Sequence, residues 1–204
     1  MLSFPTAFRL WIVPVAIGSL SVLGFLFEPT SSEIFAYQRN SLEASEYWRL
    51  FTGHLLHTNF AHLALNLLGL LLLWALHGEY YSPQKLTIFL LLSGLITSIG
   101  IYLFSSSIIW YVGLSGVLHG LFVWGACFDI LRKEYTGWLL LIGVTIKIVY
   151  EQLGGNTQDI AELIGASVAV DAHLYGAMSG LMLASINSII DRFKSIQGAS
   201  YDSP

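Results

Sequence analysis

Gly113-Leu114-Ser115-Gly116-Val117-Leu118-His119-Gly120 is the stretch on which the reading of this chain turns. A serine stands between two glycines where an uncharged stretch, Ser105 to Gly113, gives way to a long apolar run. A reactive serine needs such a setting: free backbone N–H groups at a helix start and room for a substrate backbone. Gly-x-Ser-Gly also serves membrane helices as a packing surface, because small residues let backbones come close. The remainder of the chain decides how the motif is to be read.

Composition sets the class. Of 204 residues, 55% are hydrophobic and 11% are charged, against about a quarter charged in a soluble domain. Mean hydropathy is +0.68. These values imply an all-α polytopic membrane protein with the lipid bilayer as its solvent, folded as one domain over residues 1–204. A net charge of −4 without a basic cluster gives no sign of a nucleic-acid partner. The single cysteine, Cys127, excludes an intrachain disulfide and a cysteine-based metal site. The first apolar run is long and is followed by no clear small-residue cleavage site, so no cleavable signal peptide is expected.

A spanning helix needs about 20 mostly apolar residues. Six stretches qualify: approximately 8–27, 54–76, 86–104, 114–131, 137–153 and 172–190. Residues 28–53 read as a long polar loop, and 154–171 as a polar loop with a small apolar patch. Arg9, Lys85, Arg132, Lys133, Arg192 and Lys194 fall on one side of a six-span chain, while Arg39 and Arg49 fall on the other. The excess of Lys and Arg marks the cytoplasmic side. Both termini are therefore expected in the cytoplasm, with the first, third and fifth loops outside.

That orientation brings distant polar residues to one depth. Ser115 starts the fourth span and His173 the sixth, both at the outer face. His62 lies eight residues past His54, roughly 12 Å along a continuous helix, and Asn66 one turn deeper. Polar side chains inside a membrane are costly and should be buried and partnered. Ala172, Gly176, Gly180 and Ala184 make a small-residue stripe on the sixth span, and Gly116 and Gly120 one on the fourth. Such stripes allow backbones to approach, as a serine–histidine hydrogen bond between two helices requires. His173 is then the candidate base for Ser115. No acidic residue looks placed to orient His173, since Asp171 points elsewhere on a helix, so a dyad is expected. Asn66, His62 and the Ser115 backbone N–H are candidate donors to an oxyanion.

These residues resemble a rhomboid intramembrane serine protease across essentially all six spans. The resemblance rests on Trp48-Arg49, His57, His62-x-x-x-Asn66, Gly113-x-Ser115-Gly116 and Ala172-His173-x-x-Gly176-x-x-x-Gly180. It implies a six-helix rhomboid-like bundle in which Ser115 and His173 are catalytic and His62 and Asn66 support the oxyanion hole. It implies no metal and no cofactor. Many rhomboids carry an aromatic residue four places after the serine, stacked on the catalytic histidine. Here that position is His119, a possible support of His173 and also a second possible base. The form Gly-x-Ser-Gly-x-x-His-Gly in a short chain is similar to the rhombosortase branch. That similarity implies substrates anchored by a C-terminal Gly-Gly tail and one span, and an inner-membrane location with the site open to the periplasmic side.

Other polar residues have plainer readings. Trp48 and Arg49 suit an interface anchor for the first loop. His54 and His57 suit structural bonds. Lys147 and Glu151, at i and i+4, suit mutual pairing. Zinc proteolysis is disfavoured, because no His-Glu-x-x-His pattern occurs. Transport is disfavoured by the short chain and the lack of a repeat. A non-catalytic relative that binds membrane clients would usually have lost the serine–histidine pair.

Overall fold

The computed structural model describes residues 5–201, with side chains through residue 190. Residues 1–4 and 202–204 of the expected 1–204 domain lie outside the described residues, as do the side chains of Arg192 and Lys194. The chain forms α1 (Ile12–Leu26), α2 (Thr30–Phe35), β1 (Tyr37–Gln38), α3 (Arg39–Glu43), α4 (Arg49–Thr52) and α5 (Phe60–His77). It continues with α6 (Pro83–Phe104), β2 (Trp110–Tyr111), α7 (Ser115–Leu131), α8 (Thr136–Gln152), α9 (Gln158–Ile164) and α10 (Val170–Tyr201). By length and hydropathy two of the described helical stretches, Phe60–Tyr80 and Pro83–Phe104, are sufficient to cross a membrane. Two others, α1 and α7, are apolar but shorter. The outward faces of α1, α5 and α6 carry exposed Leu20, Leu23, Leu68, Leu71, Leu91 and Leu103, a surface suited to lipid rather than water.

Helix α7 is the hub, packed against α5, α6, α8 and α10. Its inward residues Val117, Leu121 and Trp124 are buried with Tyr81, Leu86 and Phe89. The Phe89 and Trp124 rings stack at 4.6 Å. Helices α7 and α10 meet backbone to backbone. A Cβ added at Gly120 would lie 2.6 Å from the Gly176 carbonyl oxygen, and one at Gly116 would lie 2.9 Å from that of Ala172. A Cβ at Gly176 or Gly180 would overlap the carbonyl of Gly116 or Gly120. The small-residue stripes of the sequence thus face one another, and only glycine permits this approach.

Two expectations need correction and one an addition. Residues 28–53 are not an open loop but a compact unit of short helices. Arg49 is buried and ties it together, donating to the carbonyls of Ala36 (2.8 Å) and Glu33 (2.9 Å) and to the Glu46 carboxylate (2.6 Å). Arg49 is therefore an internal staple rather than an interface anchor, whereas Trp48 is exposed and donates to the Ile34 carbonyl at 3.2 Å. Second, the fold is mostly helical as expected but carries one addition, a two-residue antiparallel ladder in which Tyr37 pairs with Tyr111 and Gln38 with Trp110. Third, the helix at the second expected span starts at Phe60, not at His54. Residues 53–55 form a 3-10 turn, and Asn59 caps α5 by accepting the His62 N–H at 2.8 Å. His62 is therefore in the first helical turn, and the 12 Å depth measured from His54 does not apply. His54 instead bonds sideways to α6, with Nε2 2.9 Å from both the Gly94 carbonyl and Ser98 Oγ.

Candidate active site

Three helix starts bring the polar residues together. Ser115 is the first residue of α7 and His173 lies in the first turn of α10. The glycine contact between those helices holds the pair in reach, and the Ser115 hydroxyl lies 3.0 Å from His173 Nε2. That is hydrogen-bonding distance for a hydroxyl donating to an imidazole nitrogen. Just upstream, Gly113 has φ of +125°, a conformation open to glycine but not to other residues. A Cβ there would also stand 2.8 Å from His62 Nε2. Gly113 thus turns the chain into α7 and leaves room for the His62 ring. Tyr111 steadies this turn, its hydroxyl donating to the Gly113 carbonyl at 2.7 Å.

His62 and Asn66 share one face of α5 and line the same cavity as Ser115 and His173. The Asn66 amide gives one N–H to the His62 carbonyl at 3.1 Å and keeps a second, since an amide nitrogen carries two. Thr58 approaches His62 Nδ1 with its hydroxyl at 3.0 Å and its backbone N–H at 3.4 Å. The same hydroxyl donates to the Ile164 carbonyl at the end of α9. Asn59 Nδ2 donates to the Leu163 carbonyl at 3.0 Å. The segment over the site is thereby latched to the turn that carries His62. His57 is buried with its ring edge-on to His62 at 5.0 Å.

His119 stacks on His173, with ring centroids 4.1 Å apart and planes inclined by 21°. A histidine therefore fills the place described above for an aromatic residue. Its Nδ1 lies 2.7 Å from the Ser115 carbonyl oxygen. A carbonyl only accepts, so Nδ1 carries the proton and the ring bonds to the serine's backbone rather than to its hydroxyl.

The expectation that no acid stands ready to orient His173 does not hold. Glu151, on α8, has Oε2 at 3.0 Å from His173 Nδ1. Its other oxygen, Oε1, accepts from Lys147 Nζ at 2.8 Å. The i, i+4 pairing of Lys147 and Glu151 is therefore present, but it accounts for only half of the carboxylate. Asp171 does point elsewhere, accepting from Ser105 Oγ.

The cavity in front of these groups has a volume of about 860 Å³. Ser115, His173, His62 and Asn66 line it together with apolar Leu65, Leu72, Leu76 and Phe122. Among the described residues no group of three or more His, Cys, Asp or Glu side chains is arranged to hold a metal. A serine hydroxyl bonded to an imidazole, beside further N–H donors and apolar side chains, is an arrangement suited to acyl transfer on a hydrophobic chain. The family model described as Rhomboid domain matches residues 44–189, a range that includes every side chain of this constellation.

Proposed function

Because the chain belongs to the rhomboid family of serine intramembrane proteases, we propose that Ser115 is its nucleophile and His173 its general base. The observation that carries this reading is the 3.0 Å contact between the Ser115 hydroxyl and His173 Nε2 in the wall of a largely apolar cavity. Ser115 Oγ attacks the scissile carbonyl carbon while its proton moves to Nε2. The carbonyl π pair moves onto oxygen, where the free Asn66 N–H, the His62 ring and the Ser115 backbone N–H supply donors. The proton then passes from Nε2 to the leaving amine as the C–N bond breaks. Water enters by the reverse use of the same base and releases the acyl group from the serine. His119 supports the imidazole through stacking.

In this reading α1, α5, α6, α7, α8 and α10 are six spans of one domain, with both termini in the cytoplasm and the site open to the outer face. Charge distribution supports that orientation. Cysteine placed at Ser32, between α1 and β1, should react with an impermeant maleimide in intact cells. Reaction only after lysis would invert the topology.

The substrate side follows from helix physics. A peptide bond within a helix is shielded, its carbonyl bonded and its backbone wrapped by side chains. Glycine costs about 1 kcal/mol per residue in a helix relative to alanine and leaves the backbone uncovered. A glycine pair beside a single span therefore unwinds readily into a cavity between helices. The reading is of a protease that cuts a C-terminal Gly-Gly tail near its membrane span and frees the outer domain. The rhombosortase-like Gly-x-Ser-Gly-x-x-His-Gly sequence supports it. A tailed reporter with both glycines changed to leucine should stay full-length and membrane-bound. Unchanged processing that still needs Ser115 would leave the protease and remove the glycine specificity.

A further inference from the structure

Glu151 sits where the sequence alone gave it no task beyond its pairing with Lys147. An ion pair on a lipid-facing helix would satisfy both partners by turning outward. Here the two side chains behave differently: that of Lys147 is 44% exposed, while that of Glu151 is 8% exposed. The carboxylate is drawn inward, and its second oxygen is spent on a residue of another helix, His173 Nδ1 at 3.0 Å. Burying a carboxylate is costly unless its oxygens are paired, and both are: Oε1 by Lys147, Oε2 by His173.

We propose that Glu151 is a positioning residue for His173, completing a Ser115–His173–Glu151 triad, and that Lys147 fixes which carboxylate oxygen faces the ring. The proposal rests on the reading of Ser115 and His173 as nucleophile and base. A neutral imidazole carries one proton. To accept from Ser115 it must bare Nε2 and hold the proton on Nδ1. A carboxylate beside Nδ1 can only accept, so it enforces that tautomer. Lys147 Nζ also stands 3.4 Å from Nδ1, but an ammonium has nothing to accept with. Of the two neighbours only Glu151 can receive the Nδ1 proton in a hydrogen bond.

When Nε2 takes the serine proton, the ring becomes a cation at a site with an ammonium close by. Glu151 lies bonded to both and offsets their repulsion. The Nδ1 proton stays on nitrogen throughout and the carboxylate is not itself protonated. The neutral Lys147–Glu151 pair present before reaction thus becomes a cluster of one net positive charge, matched by the developing oxyanion.

Lys147 gives the idea a specific test. In Glu151→Gln the amide oxygen stays with Lys147, which can only donate. The amide NH₂ must then face His173 Nδ1 and drive the ring proton onto Nε2, the tautomer that cannot accept from Ser115. Removing Lys147 as well frees the amide to rotate and present its oxygen to Nδ1. The full chain would be reconstituted in phospholipid vesicles, and the rate of Ser115 labelling by a fluorophosphonate followed alongside the melting temperature. Glu151→Gln should label at least about 10²-fold more slowly with the melting temperature little changed, by analogy with the ≈10⁴-fold cost of the corresponding carboxylate-to-amide change in a soluble triad. Lys147→Met should be slowed much less, and Lys147→Met/Glu151→Gln should label faster than Glu151→Gln alone. A purely structural ion pair predicts that the two single variants suffer alike and that the double variant regains nothing, and either result overturns the proposal. Should the unmodified chain fail to label at Ser115 while folded, the nucleophile assignment itself is lost, an outcome distinct from labelling that ignores Glu151.

Discussion

Ser115→Ala and His173→Ala should each bring proteolysis of a single-span reporter down to the uncatalysed background, and the double variant should be no slower than either. Serine without a base is a weak nucleophile, and the base without serine has nothing to activate. Groups that act as a unit are strongly non-additive when removed together. The 3.0 Å contact between Oγ and Nε2 motivates the expectation. His62→Ala, which removes one donor and leaves others, should cost at most about 10²–10³ in kcat. Initial rates in vesicles, normalised to folded protein, provide the comparison. Full loss in His119→Phe with normal turnover in His173→Ala would mean that the base has been misassigned.

A second large effect should come from a position with no chemistry of its own. Gly176→Val places a branched side chain where the Gly116 carbonyl already lies. The obstacle is backbone, so no rotamer change relieves it, and α7 and α10 must separate. Overpacking of this kind costs about 1–3 kcal/mol in soluble cores. The cost to turnover should be greater, because a misplacement of about 1 Å at reacting atoms can cost 10²-fold. Gly143→Ala on α8, where the added methyl meets open space, serves as the stability control. Melting temperature and fluorophosphonate labelling would be measured for both. Labelling of Gly176→Val at the normal rate would show that the helix contact does not set the serine–histidine distance.

The parts of this site that were legible in the sequence share a property: each is announced by residue types whose spacing survives any rotation of the helix. Ser115 stands at a glycine-marked helix start, and His173 heads a stripe of small residues at four-residue intervals. Both signals depend only on position along the chain. Glu151 was not legible for the opposite reason. Its spacing to Lys147 is complete within α8, and nothing along that helix says that the carboxylate turns towards α10. The start of α5 was obscured because His54 and Leu55 continue the apolar run although their backbone forms a separate turn. Asn59, a good cap residue directly before Phe60, was the available sign of the true start. The unit between α1 and α5 is held by Arg49 bonds to carbonyls up to sixteen residues away, a pattern that local composition does not record.

That α5, α7 and α10 all begin at the cavity has an electrostatic consequence. Each helix start carries a partial positive charge of roughly half an elementary unit from its aligned peptide dipoles. His62, Ser115 and His173 all lie within the first turn of their helices, where that field is strongest. The poles of α5 and α7 therefore meet where the proposed reaction places the substrate oxyanion, while that of α10 lies beside His173, and all act in surroundings that screen charge far less than water does. Helix α8 runs the other way and brings its negative pole, together with Glu151, to His173, where it offsets the α10 pole and favours the cation that the proposed reaction forms there. The scaffold is thus polarised along the direction in which charge separates in the proposed first step, before any substrate arrives.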